Sequence, residues 1–270
     1  MPNCPRHYPL TLLLMVLGLA GCGDERRASV AEICRNQPAL CDDLNDDSWC
    51  RFERADVIEH RFLAQNGNPP EQQYLLLKGW EKYRDCMVLA AEVKKKENTA
   101  ISANRTKGYL TSLAELEKLE QQTANADDPF LLYWHWSRHG QQQALEQLQG
   151  MDQAGKLEFS ELQFHLGSYY AKYEVATAIK KMMRALELLP ADAPYLQELL
   201  GSLATLYYRQ NDADRAYLWL RIAELGDVQG ANAKAVIPQF QLDNARVNAL
   251  NDKAKTLFKQ IEERKFVPPR

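Results

Sequence analysis

The chain lacks any apolar run long enough to cross a bilayer. Its leucine-rich stretch, Leu10 to Ala20, falls short of the roughly 20 residues that a membrane-spanning helix needs. A surplus of positive charge is also missing. With 33 Lys and Arg against 36 Asp and Glu the formal net charge is −3, which argues against nucleic acid, a partner that calls for a basic face. No segment alternates Val, Ile and Thr between clusters of turn residues, so nothing asks for a sheet and an all-α fold is expected. There is no GxSxG elbow, no glycine-rich phosphate loop and no pair of CxxC knuckles. Acyl-transfer chemistry, nucleotide binding and a thiolate zinc site therefore have no support. The expectation is a non-enzyme without cofactor or metal.

What is present begins with an address. After Arg6 comes the uncharged stretch to Ala20, of the length of a secretory signal core, and then "LAGC", residues 19–22. An aliphatic residue and two small ones before a cysteine resemble the bacterial lipobox. The resemblance implies a signal peptide over 1–21, a diacylglyceryl group on the Cys22 sulfur, and a short linker over 22–30. Two or more acyl chains hold a protein stably on a membrane, since each buried CH₂ contributes about 0.8 kcal/mol. In such lipoproteins an Asp directly after the cysteine resembles an inner-membrane retention signal. Here that place is Gly23, so the expected location is the periplasmic face of the outer membrane, with the membrane as one partner through the lipid.

Of 6 cysteines, Cys4 would leave with the signal and Cys22 would carry lipid. Cys34, Cys41, Cys50 and Cys86 remain, an even set in an exported chain, which reads as two disulfides with three connectivities. Residues 48–65 and 71–96 both look helical, and "NGNPP" between them is a turn signal with Pro where the second helix could start. In a hairpin folded about Asn68, positions equidistant from the turn face each other, as Cys50 and Cys86 do. The predicted pairs are Cys50 with Cys86 and, by remainder, Cys34 with Cys41.

The later half repeats itself. Ala144, Leu148 and Met151 recur as Ala178, Met182 and Ala185, and again as Ala216, Leu220 and Ala223, with the same internal steps. The best unit, "YLQELLGSLATLYYRQNDADRAYLWLRIAELGD", places Leu200, Leu203, Ala204 and Tyr207 on one face of a first helix and Ala216, Leu220 and Ala223 on one face of a second. Small residues there let paired helices approach closely. The unit resembles a tetratricopeptide repeat and, through "AYLWLRIAELGD", the related Sel1-like repeat. The likeness is specific over about 159–230 and weaker over 128–155, where bulky Tyr133 stands at a small-residue place. Beyond Pro238, "NALNDKAKTLFKQIEERK" is an amphipathic helix of the kind that covers the last apolar face of a repeat stack.

The expected organisation is thus a disulfide-braced helical region over 31–125, repeats over 126–236, and a capping helix and tail over 237–270. Whether 31–125 is a separate domain or the start of the same solenoid stays open. With "EICRNQPALC" and "WCRFER", the whole chain also resembles an uncharacterised family of gammaproteobacterial lipoproteins, domain of unknown function 2989. That resemblance implies no activity.

Three constellations merit weighing. His135 and His139 stand one helical turn apart, but Trp136 occupies the place of the Glu in an HExxH motif and no third ligand is identifiable. "CDDLNDDSWC" puts Asp43, Asn45 and Asp47 at the first, third and fifth places of a calcium loop. Ser48 replaces its glycine and Arg54 its bidentate Glu, so a capping loop is expected. Among the aromatics, Tyr170 and Tyr207 fall at core places. Tyr169, Tyr173 and Tyr208, with Arg209, could face the concave groove that first helices line in tetratricopeptide stacks. The expected function is a periplasmic scaffold that docks an unidentified protein or peptide segment there, in envelope assembly or the regulation of peptidoglycan synthesis. The alternative is a peptidoglycan- or carbohydrate-binding module that uses Trp134 and Trp136 as a surface patch, aromatics being common binding anchors.

Overall fold

A computed structural model describes residues 28–65, 67–93 and 99–269. The expected signal peptide and the lipidation site Cys22 lie outside the described residues. Among the described residues there are twelve helices and no strand, as composition foretold. No helix among them is long and apolar enough to cross a membrane.

Local chemistry sets the helix ends. Helix α1 (Val30–Asn36) opens with a reciprocal cap in which the Ser29 hydroxyl accepts from the Glu32 backbone N–H while the Glu32 carboxylate accepts from the Ser29 N–H. Helix α2 spans Arg51–Ala64, α3 Pro70–Glu92 and α4 Thr99–Thr123. The start of α2 falls later than the sequence suggested. Ser48 and Cys50 take left-handed backbone conformations (φ 26° and 56°), so the chain turns there before it can coil.

Helices α2, α3 and α4 pack side by side, each on the next, with α1 against α2. Cys50 bonds to Cys86 across the α2–α3 hairpin, Cα to Cα 5.8 Å, and Cys34 to Cys41 at 5.6 Å, so both predicted pairings hold. Val57, Ile58, Leu77, Trp80, Tyr83 and Met87 fill the core between these helices. The loop 41–50 lies over it and is clamped from both sides. Arg61 of α2 reaches both Asp43 oxygens at 2.7 Å and lies over the Trp80 ring, while Arg105 of α4, itself buried, donates to Asp47 at 2.6 Å and covers Trp49. Asp43 and Asp47 thus neutralise arginines instead of converging on a calcium site. Burial opposes ionisation of the Asp43 carboxyl, but Arg61 outweighs it and holds the group below its ordinary value.

Three further hairpins follow in chain order: α5 (Pro129–His139) with α6 (Gln142–Gln153), α7 (Ser160–Tyr170) with α8 (Val175–Glu187), and α9 (Leu196–Arg209) with α10 (Ala213–Leu225). Asp128 caps α5 by accepting from the Phe130 and Leu131 N–H groups, Pro129 follows where its missing N–H costs nothing, and Gly140 at φ +65° ends it. The repeated small and apolar positions meet inside these pairs. Ala144 and Leu148, Ala178, Met182 and Ala185, and Ala216 and Ala223 are all buried on α6, α8 and α10. Close approach of α7 to α8 depends on Gly167, where a Cβ would stand 2.8 Å from Met182 Cγ. Helix α5 serves two cores, giving Leu131 and Trp134 to the N-terminal one and Leu132 to the α6–α7 one.

A short turn, α11 (Ile237–Phe240), leads to α12 (Asn244–Glu262), which packs on α10 and buries Ala254, Leu257 and Ile261. The three buried residues belong to the apolar face read from the amphipathic pattern. The tail returns over the stack: Phe266 is buried against Trp219, and Arg264 donates to the Pro190 and Ala191 carbonyls.

Candidate functional site

Helix α3 packs on α5 and α5 on α7, while α9 joins the stack through α8. Between α3, α5, α7 and the start of α9 lies a recess of about 340 Å³. A second, of about 510 Å³, runs on between α7 and α9, and Glu198 lines both.

The first recess is built around a charge that is already satisfied. Glu161 of α7 accepts from the Tyr74 hydroxyl at 3.1 Å and from Lys78 Nζ at 3.2 Å, and His165 one turn on stands 3.8 Å away. Burial alone would raise its carboxyl, yet His165, Lys78 and Tyr74 outweigh that and hold it down to about 2. Burial and the neighbouring Glu161 charge both push the Tyr74 phenol up, so it stays a donor. Arg138 of α5 grips Glu81 of α3 with two bonds of 2.7 and 2.9 Å, a bidentate pair that ties the N-terminal region to the first hairpin.

Tyr133 and His165 line the first recess, and a run of rings continues from them. Tyr133 stacks on His165 at 4.3 Å and touches Trp136, which meets Tyr169 edge-on at 5.4 Å, and Tyr169 in turn meets Tyr173 at 5.5 Å. Trp136, Tyr169 and Tyr173, expected at a binding surface, form one ladder along the α5–α7 seam and lie outside the lining of both recesses. Tyr173 ends it, 72 % exposed. Arg209 lines the second recess and donates to the Ala171 carbonyl at 3.0 Å, a place consistent with the groove expected for it. Tyr170 and Tyr207 pack into the C-terminal core, as their motif places suggested.

Two expectations need correction. Tyr208 does not face the groove with Arg209: its ring packs on Phe240 and its hydroxyl donates to Gln239, because it points from α9 toward α11. Trp134 is no surface aromatic. It is 2 % exposed in the N-terminal core, with its indole N–H donating to Glu120 under the Arg138 guanidinium. A carbohydrate platform that includes this ring is not available.

His135 and His139 do not share a ligand geometry. His135 is buried, 3.0 Å from the Thr123 hydroxyl, whereas His139 turns to Glu120 at 3.0 Å. Burial, then the neighbouring His139, lowers the His135 pKa and keeps that ring neutral. Cys50, Glu53 and Cys86 cluster within the reach of one ion, but both sulfurs are spent in the disulfide. Sequence reasoning missed Tyr74, Lys78, Glu161, His165 and Tyr195. The contacts of the first three span 83 residues or more, and a charged residue on a helix gives no local sign of such a partner. The spacing of Glu161 and His165 on one helix face was the only available signal.

No curated protein and no solved structure matches the chain. Residues 19–221 match a family described as protein of unknown function (DUF2989). That match covers most of the length, and the chain belongs to this family.

Proposed function

We propose that this chain is a lipid-anchored periplasmic scaffold whose hairpins, tetratricopeptide- and Sel1-like in pattern, dock a segment of a partner protein in the groove between α3, α5, α7 and α9. The observation that carries the reading is the pair of recesses that share Glu198, the first of them lined by rings and by preformed ion pairs. Recognition sites are concave, with an apolar floor and a few fixed polar groups. The pinned Glu161–Lys78 and Glu81–Arg138 pairs hold that shape before a ligand arrives, which lowers the ordering cost of binding. The action is docking, with no bond made or broken, and the lipid on Cys22 would keep the complex at the outer-membrane surface. Envelope assembly or the regulation of peptidoglycan synthesis is the setting such an anchored helical repeat suits, an analogy of fold only.

Two measurements test this. Incorporation of an alkyne-tagged palmitate in cells, abolished by Cys22→Ser, is expected if the anchor exists. Label that persists in the variant removes the anchor from the proposal. In-cell photocrosslinking from Thr205, exposed in the second recess, is expected to give one dominant protein adduct that Lys255 on the outer face of α12 does not give. Equal adducts from both positions would take the docking site away from the groove.

A further inference from the structure

The charges that line the first recess divide into two kinds. Lys78 with Glu161 and Arg138 with Glu81 are paired across helices and offer no net charge to a ligand. Lys82 on α3 and Glu198 on α9 also line it, are both exposed, and have no ion-pair or hydrogen-bond partner among the described residues. Lys82 comes from α3 and Glu198 from α9, while α5 and α7, which pack in succession on α3, bring Tyr133 and His165 to the same recess, and Tyr195 lines it just ahead of α9. The Tyr195 ring is fixed by stacking on Phe164 at 5.6 Å, and Tyr133 by stacking on His165. Stacked rings thus line the recess, and α3 and α9 each bring to it one uncommitted charge, of opposite sign.

From this arrangement we infer that the groove takes an extended peptide segment of a partner protein with a directional charge order. An acidic side chain meets Lys82, an apolar or proline residue lies on the Tyr133, His165 and Tyr195 rings, and a basic side chain meets Glu198. The inference rests on the docking reading above and adds to it the chemistry of the occupant. A proline or aliphatic residue suits a lining of rings because it makes large apolar contact while losing little conformational freedom on binding. The two charges suit opposite ends of one segment because exposed, unpaired charges mainly choose and orient a partner and reject the reversed one. A neutral glycan would leave both charges idle.

The test is panning of a random twelve-residue peptide library, displayed on phage, against the purified full chain and against variants Lys82→Glu, Glu198→Lys and the double swap. Both positions are exposed and unpaired, so the variants should fold, which circular dichroism checks. Expected is enrichment of peptides that read acidic, apolar or proline, basic, and a loss of affinity of about tenfold or more for a synthetic winner on either single swap, shrinking at high salt. The double swap should enrich peptides of reversed charge order. Peptides that bind all four proteins equally would overturn the charge order and leave the docking reading standing. Absence of any enriched peptide, or displacement of winners by soluble peptidoglycan fragments, would overturn both.

Discussion

Lys78 on α3 and Glu161 on α7, 83 residues apart, meet at 3.2 Å and join the disulfide-braced region to the second hairpin. With Tyr74 and His165 they hold the Glu161 carboxyl near 2 against an ordinary value of 4.5. A depressed carboxyl contributes stability that is fully present above the ordinary value and is lost as pH falls through the folded one. The expected result is a stability that drops between pH 4.5 and 2. Glu161→Gln should flatten that drop and cost about 2–3 kcal/mol at neutral pH. Urea titrations of both proteins from pH 7 down to 2.5 measure it, and parallel curves would refute the coupling.

The two disulfides should differ in weight. Cys50–Cys86 closes a loop with a sequence separation of 36, Cys34–Cys41 one of 7. If cross-links act on the unfolded chain, the longer loop is worth about 4 kcal/mol and the shorter about 2.5. Paired Cys-to-Ser replacement at 50 and 86 is therefore expected to lower the urea midpoint about one and a half times as far as replacement at 34 and 41. The reverse order would mean that the short loop 34–41 matters through native contacts of its own.

How much of this was legible in the sequence depends on the range of the interaction. The helices, the hairpin about Asn68 that pairs Cys50 with Cys86, the repeated Ala178 and Ala216 faces and the capping side of α12 are all written in local spacing, which a single chain displays. Their placement needs no knowledge of distant residues. The groove is different. Glu161 finds Lys78, and Arg138 finds Glu81, only after α3 has been folded against the hairpins. Tyr208 and Trp134 show the same limit from the other side. Adjacent residues on a helix point about a quarter turn apart, so a small error in the assumed face sends Tyr208 to α11 instead of the groove. Trp134 reads as a surface ring because aromatics are common binding anchors, yet most of the core that buries it lies far away in sequence.

The clamp on loop 41–50 gives a third prediction. Arg105 is buried, its side chain 4 % exposed, and it donates to Asp47 at 2.6 Å while covering Trp49. Removing one partner of a buried pair leaves the other charge desolvated and unpaired, a cost of about 3–5 kcal/mol. Asp47 is partly open to water, so Arg105→Ala should fall at the low end of that range. Because Asp43 and Asp47 already face arginines, the melting temperature should not respond to calcium or to EDTA. A calcium-dependent rise of several degrees would restore the loop as an ion site.

Gly108 tests how closely α4 must approach that loop. A Cβ there would stand 2.7 Å from the Tyr83 hydroxyl, 3.1 Å from the Asn45 backbone N and 3.2 Å from Asn45 Cβ. The hydroxyl cannot retreat freely, since it accepts the Asn45 N–H at 2.8 Å in a buried setting, and burial holds the phenol protonated by raising it to about 12. In an open helix, glycine to alanine would stabilise by up to about 1 kcal/mol. Here the added methyl must push apart a backbone amide and its acceptor, and overpacking of this kind costs about 1–3 kcal/mol. Gly108→Ala is therefore expected to destabilise, whereas Gly150→Ala, with open space around its Cα on α6, should stabilise slightly. Thermal melts of the two variants side by side decide it. Stabilisation by both would mean that α4 can move away from the loop at no cost, and that the Arg105 clamp, not close packing at Gly108, fixes the loop on the core.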